Sequence, residues 1–121
     1  MTQQNTIIVG IGASAGGIQA LKGFFSQVQD AADMAFVIVT HLSPTRESHL
    51  HEVISHFTTL PVEVIEHGAS ARAGIVHVMP EHVCLSISDG HFRLLQSDPK
   101  KSQRKPIDFF FRALAVDQEE K

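Results

Sequence analysis

Two side chains that could act together in catalysis, Ser14 and His41, each follow an apolar run of the sequence. A serine hydroxyl becomes a nucleophile when an imidazole within hydrogen-bond reach accepts its proton. The runs at residues 6–9 and 35–39 predict consecutive strands, which in an open α/β sheet are usually neighbours about 4.8 Å apart. Because chemistry in such sheets collects at the carboxyl ends of the strands, the two side chains are expected to meet there. The alternative, equally open from spacing alone, is that Ser14 caps a helix and His41 is a loop histidine.

The glycines around Ser14 fit two different motifs. Gly12-x-Ser14-x-Gly16 resembles a nucleophile turn, whereas Gly10-x-Gly12-x-x-Ala15 resembles a dinucleotide-binding turn. A dinucleotide site needs Asp or Glu at the end of the second strand, and Thr40-His41 stands there instead. A P-loop would need Gly-Lys-Ser/Thr after the turn, and none follows. The nucleophile interpretation is therefore favoured, and no nucleotide cofactor is expected.

The residues directly after Ser14 could stabilise a developing oxyanion. Their backbone N–H groups lie at the start of a helix predicted from about Ile18, where the helix dipole favours negative charge. They are Ala15, Gly16 and Gly17.

The remaining histidines and the single cysteine predict no metal site and no second nucleophile. His51 and His56 resemble a zinc-binding helix, but their five-residue spacing turns a helix by about 500° and separates the rings. The single cysteine, Cys84, lies in an alternating run that predicts a buried structural thiol and excludes an internal disulfide. The remaining scattered histidines are predicted to pack or to lie at the surface: His67, His77, His82 and His91. No metal ion and no cofactor are expected.

The length and composition are typical of a soluble globular chain of one domain. Its 121 residues are 43% hydrophobic and 19% charged. The net charge of −3 argues against nucleic-acid binding, although a local basic cluster is expected in a solvated loop. That cluster is Lys100, Lys101, Arg104 and Lys105. No apolar run approaches the ~20 residues of a membrane span, and no signal peptide is visible, so a cytoplasmic protein without membrane insertion is expected.

The order of predicted elements is β-α-β-α-β, then a further strand, a hairpin and a helix. Strands are predicted at residues 6–9, 35–39, 62–65 and 75–79, helices at 18–28, 47–57 and 106–116, and a hairpin at 83–88 and 91–95. Asp89-Gly90 between alternating runs is a strong hairpin signal. The pattern predicts an α/β fold with an open, mostly parallel, doubly wound sheet, helices on both faces and a β-hairpin. The aromatic helix around Phe109-Phe110-Phe111 should be followed by another strand, so the chain looks truncated at its C-terminus.

Four segments together resemble the catalytic domain of the CheB-type chemotaxis protein-glutamate methylesterases. They are Ile11-Gly12-Ala13-Ser14-Ala15-Gly16-Gly17, Thr40-His41-Leu42-Ser43-Pro44, the strand Gly74–Pro80 and the helix Pro106–Ala115. The likeness runs from about Ile7 to Gln118 in the family's order. It implies hydrolysis of glutamyl methyl esters on methylated chemoreceptors, and often deamidation of glutamine there. It also implies that Ser14 is the nucleophile and His41 its general base.

The sequence departs from this family's pattern in three ways. The family's third catalytic residue is an aspartate in a Gly-x-Gly-x-Asp-Gly turn after one further strand. Residues 1–121 contain no such segment, so they are expected to be an incomplete domain that is nearly inactive alone. The residue after the nucleophile, often Thr, is Ala15. No receiver domain precedes the first strand, which resembles hybrids with a CheR-like methyltransferase. The alternative is a non-catalytic regulatory or binding module on the same scaffold.

Overall fold

A computed structural model describes residues 6–13, 18–27, 33–40, 50–80, 83–96 and 106–119. Within these ranges the strands are β1 (Ile7–Ala13), β2 (Met34–Thr40), β3 (Val62–Val64), β4 (Val76–Val78), β5 (Val83–Ser88) and β6 (His91–Gln96). The helices are α1 (Ile18–Gln27), α2 (Leu50–Ser55) and α3 (Pro106–Glu119). None of the helices in this part of the chain combines the length and apolarity needed to cross a membrane.

The main sheet has four parallel strands in the order β1-β2-β4-β3. Strands β5 and β6 form a separate antiparallel hairpin. The predicted α/β class with a mostly parallel sheet is therefore confirmed, as is the neighbouring position of β1 and β2. The insertion of β4 between β2 and β3 is a feature that the order of elements along the chain did not predict.

The two faces of the sheet bury different partners, because successive side chains of a strand point to opposite faces. On one face, Phe36 and Ile38 of β2 pack with α1 and α2. On the other, Val37 and Val39 pack with the hairpin and α3. All four of these β2 side chains are buried, which explains why the strand is a continuous apolar run.

Some predicted boundaries and burials are corrected by the structure. The described part of α2 ends at Ser55, not at 57, because the N–H groups of His56 and Phe57 donate to carbonyls three residues back in a turn. Helix α3 continues three residues beyond 116, to Glu119. On α1, Leu21 and Phe25 are buried as expected, but Phe24 is 41% exposed.

The tip of the hairpin agrees with its predicted turn. Asp89 and Gly90 have φ angles of 55° and 76°, so both central residues adopt the left-handed region. A two-residue turn of this kind matches the twist of the flanking strands and favours Asp-Gly. The thiol of Cys84, in β5, is buried as predicted.

Candidate functional site

The strand ends that precede Ser14 and His41 lie side by side. Strands β1 and β2 are parallel and in register over seven pairs, from Ile7 with Met34 to Ala13 with Thr40. The sequence places Ser14 directly after Ala13, and His41 directly after Thr40. The premise of the two-residue site, neighbouring strands that end at the same level, is therefore confirmed.

The proposed catalytic side chains themselves lie outside the described residues. This holds for the nucleophile, its base and the three residues expected to supply oxyanion donors: Ser14, His41, Ala15, Gly16 and Gly17. Their roles remain predictions. The basic cluster at Lys100, Lys101, Arg104 and Lys105 and the histidine at position 82 lie outside the described residues as well.

The two glycines of β1 have a packing role. A Cβ on Gly10 would lie 2.8 Å from Cε1 of Phe111, and one on Gly12 would lie 2.6 Å from Cγ2 of Ile107. Both distances are shorter than real Cβ contacts, so α3 can lie this close only because side chains are missing there. The Gly10-x-Gly12 pattern thus has an explanation in helix packing that requires no dinucleotide.

Helix α3 packs against both β1 and the hairpin. Near its C-terminal end, the carboxylate of Asp117 accepts hydrogen bonds from the N–H groups of Asp89 and Gly90, at 2.5 and 3.2 Å. At the other end of the helix, Ile107 contacts β1 two residues before the serine. The strand end that carries Ser14 is thus positioned by a helix that is itself fixed to the hairpin turn.

A second cluster of polar groups lies on β3 and β4, away from β1. His77 of β4 is only 3% exposed, and its Nε2 lies within hydrogen-bond distance of the backbone of Arg72, 3.1 Å from the N and 3.4 Å from the O. Burial lowers the pKa of His77, and hydrogen bonding to the Arg72 backbone and the charge of Glu63 oppose this only in part. The imidazole is therefore neutral at pH 7.

His77 lines a cavity of about 400 Å³ between β3, the following loop and the hairpin. Glu63 and Arg72 stand at this cavity and form an ion pair of 2.6 Å, each about half exposed. Phe92 of the hairpin lies against the imidazole, with 5.2 Å between ring centroids. The sequence predicts only a packing or surface role for His77, although its place inside the apolar strand Val76–Val78 already indicates burial.

The residue types that bind metal ions form no metal centre in the part of the chain that the structure describes. Within it, no three residues among His, Cys, Asp and Glu are grouped so as to hold an ion. His51 lies on α2, and His56 follows the helix in the turn.

An open parallel α/β sheet with helices on both faces defines the class of this domain. A family model described as CheB methylesterase matches residues 9–121. The chain belongs to the CheB methylesterase family.

Known proteins agree with this assignment. The chain is 27% identical over 113 residues to a protein-glutamate methylesterase/protein-glutamine glutaminase of Methanospirillum hungatei, covering 93% of this chain and 32% of that protein. A protein of the same description from Burkholderia orbicola is 30% identical over 115 residues, covering 94% of this chain and 34% of the relative. The crystal structure of the CheB methylesterase catalytic domain of Thermotoga maritima matches with a TM-score of 0.74 and 27% identity, covering 93% of this chain and 61% of that one. The chain thus spans about a third of the length of these curated relatives.

Proposed function

We propose that this chain is part of a protein-glutamate methylesterase that hydrolyses glutamyl methyl esters on methylated chemoreceptors. Membership of the CheB methylesterase family supports the reaction class, and the relatives' names add glutamine deamidation. In the proposed mechanism, His41 accepts the proton of Ser14 as the hydroxyl attacks the ester carbonyl. The resulting tetrahedral intermediate expels methanol, whose oxygen takes the proton from His41, and an acyl-enzyme remains on Ser14. Water then hydrolyses the acyl-enzyme, which releases glutamate and restores the Ser14 hydroxyl. The reaction takes place in the cytoplasm.

One observation carries the proposal: Ala13 and Thr40 are register partners at the ends of adjacent parallel strands. The next residue on each strand is the proposed nucleophile or its base. Neighbouring strands are about 4.8 Å apart, a separation that a hydrogen bond between side chains at adjacent strand ends can span.

The oxyanion that forms during attack requires donors aimed at it. We assign this role to the backbone N–H groups of Ala15, Gly16 and Gly17, whose position before α1 would add the field of the helix dipole. An alanine at position 15 still supplies its backbone N–H. The methyl side chain of this alanine adds no hydrogen-bond donor of its own.

The proposed domain is residues 1–121 together with a following segment that holds the aspartate implied by the family resemblance. The aspartate would fix the tautomer of His41 and stabilise its imidazolium form. A CheR-like methyltransferase in the same polypeptide is a further proposal.

Methanol release from a methylated receptor tests the assignment, using the chain extended to the length of its relatives. Ser14→Ala should lower kcat by about 10³-fold or more, as removal of a serine nucleophile does in other hydrolases. Ser26→Ala is the matched control, since that exposed α1 hydroxyl donates a hydrogen bond within its own helix, to the carbonyl of Gly23. Unchanged methanol release by Ser14→Ala would contradict catalysis and favour the non-catalytic binding module.

A further inference from the structure

The strand positions that lead to the proposed catalytic pair face the side of the sheet covered by α3. In β1, Gly12 lies against this helix. In β2, Val39 is the register partner of Gly12 and packs in the core that the sheet shares with the hairpin and α3. Side chains of a strand alternate between faces, so positions 14 and 41, two residues further along each strand, continue the series on this face. The packing of α3 is therefore the packing nearest to Ser14 and His41 on that side.

Helix α3 reaches the backbone of Gly12 through the side chain of Ile107. The three atoms nearest to a Cβ added at Gly12, apart from those of its chain neighbours, all belong to Ile107: Cγ2 at 2.6 Å, Cδ1 at 3.4 Å and Cγ1 at 3.6 Å. Because a C–C bond is about 1.5 Å long, Cγ2 lies about 4 Å or less from the Cα of Gly12, which is van der Waals contact. This methyl group thus rests on the β1 backbone two residues before the proposed nucleophile.

Other contacts of α3 hold the helix in place independently of Gly12. Phe110, in the turn of helix that follows Ile107, is fully buried in the core on this face. Near the other end, the Asp117 carboxylate accepts hydrogen bonds from the N–H groups of Asp89 and Gly90 in the hairpin turn. A close-packed interior transmits displacement instead of absorbing it. Loss of the Ile107 methyl should therefore release the end of β1, since the helix is not free to close the gap.

We propose that Ile107 is a positioning residue for the esterase reaction, whose Cγ2 methyl fixes the strand end that carries Ser14 relative to His41. The proposal rests on the proposed function, because it requires Ser14 to be the nucleophile. The assigned role is to hold the β1 backbone and not to contact the ester. A misplacement of about 1 Å can lower the rate of an enzyme about 10²-fold, so the position of one methyl group is sufficient to matter.

Three substitutions at position 107 separate the Cγ2 methyl from the bulk of the side chain. Ile107→Val keeps both branches at Cβ and loses Cδ1, whereas Ile107→Leu keeps the volume but has a single γ-carbon. Ile107→Ala loses the whole contact. In the extended chain acting on a methylated receptor, Ile107→Val should keep kcat within about twofold of the parent. Ile107→Leu and Ile107→Ala should each lower kcat about tenfold or more with KM nearly unchanged, because the contact acts on the nucleophile and not on substrate binding.

The matched control is Leu114→Ala, on the same helix. The Leu114 Cδ2 would lie 3.2 Å from a Cβ added at Gly10, so this side chain contacts β1 four residues before Ser14. Its loss should lower Tm but keep kcat within about twofold of the parent at a temperature where both proteins are folded. A merely structural role of Ile107 would instead make the loss of kcat follow the loss of Tm in all four variants.

A reciprocal substitution tests the contact from the side of β1. Gly12→Ala should lower kcat, because its Cβ would displace the backbone from Ile107. Adding Ile107→Ala to Gly12→Ala should restore part of that loss, since the three crowding atoms are then absent and the new methyl takes their place. Amide chemical shifts recorded by NMR check that each variant is folded, and the signals of Ala13 and Ser14 should move in Ile107→Ala and stay near those of the parent in Ile107→Val.

The outcomes distinguish this inference from the proposed function. An extended parent chain that releases no methanol would contradict the proposed function and the positioning role together. With an active parent, three results would overturn the positioning role alone: Ile107→Val as slow as Ile107→Ala, Ile107→Leu as fast as the parent, or a double variant no faster than Gly12→Ala.

Discussion

His77 is a titratable residue held in its neutral form inside the sheet. It is 3% exposed, and among the described residues the negative charge that favours its protonation is that of Glu63, itself paired with Arg72. Nε2 lies 3.1 Å from the backbone N and 3.4 Å from the backbone O of Arg72, and hydrogen bonding to this backbone raises the pKa of the ring. Protonation of His77 is therefore opposed mainly by desolvation of the buried imidazole.

This histidine should make the protein less stable in mild acid. Its pKa is lowered in the folded state, so below about pH 6.5 the unfolded chain binds a proton that the folded chain does not. The free energy of unfolding should then fall as pH decreases from 6.5 toward the lowered pKa, with no contribution above 6.5. His77→Gln keeps an acceptor but does not titrate, and urea unfolding at pH 7.5 and 5.5 should show a smaller loss for it.

The control for this effect is His56→Gln, which removes an exposed histidine. It should retain the pH dependence of the parent protein. If His77→Gln and the parent lost equal stability between the two pH values, the lowered pKa would not be a source of acid sensitivity.

At the scale of residues, the sequence predicts which side chains could react more readily than it predicts which residues surround them in the fold. Ser14 and His41 were selected because a hydroxyl and an imidazole that follow neighbouring strands could act together, and their catalytic roles remain predictions. Cys84 is buried as predicted, although it alternates with Leu85 and Ile87, the β5 side chains that belong to the core. The cavity around His77 was not predictable, because Arg72 and Phe92 reach it only through the loop and the hairpin.

At the scale of elements, the contact between α3 and β1 depends on glycine. Gly12→Ala should destabilise the protein by about 1–3 kcal/mol, since the added Cβ would force Ile107 and its helix away from β1. Gly23→Ala is the matched control on α1, where a Cβ would meet nothing within 4 Å, and should stabilise by about 0.5–1 kcal/mol. Thermal unfolding measures both, and equal effects of the two substitutions would contradict the packing account.

The attachment of α3 to the hairpin can be tested separately. Asp117→Asn keeps the shape of the side chain but removes the charge that accepts two backbone N–H groups. The expected cost is about 1.5–3 kcal/mol, typical of hydrogen bonds to a charged group. Hydrogen exchange at Asp89 and Gly90 should become faster, whereas exchange in the centre of β2 should change only as global stability does. Unaltered exchange at the turn would show that Asp117 does not hold it.

Helices and strands were predictable where periodicity was strong. The buried run of β2 and the Asp-Gly turn of the hairpin have local causes, and both were found. The end of α3 was placed too early because its last residues are polar and show no apolar period. Their helical state is supported by the bonds of Asp117 to a turn 27 and 28 residues earlier, which no local pattern reveals.

At the scale of the whole molecule, the parallel sheet brings the ends of β1 and β2 together. The sequence predicted this adjacency because consecutive strands of an α/β sheet are usually neighbours. It did not predict that β4 would enter between β2 and β3, since strand order follows from how crossovers pack. The proposed catalytic pair needs only the first of these two features.

Whether Ser14 and His41 form a catalytic pair can be measured from the kinetics of three variants of the extended chain on a methylated receptor: Ser14→Ala, His41→Gln and the double variant. If hydroxyl and imidazole act as one unit, either single substitution should reduce methanol release about as much as both together. His56→Gln, an exposed histidine outside the site, should leave the rate unchanged. Losses that multiply in the double variant, or a His41→Gln enzyme as fast as the parent, would show that the two strand ends do not form a catalytic pair.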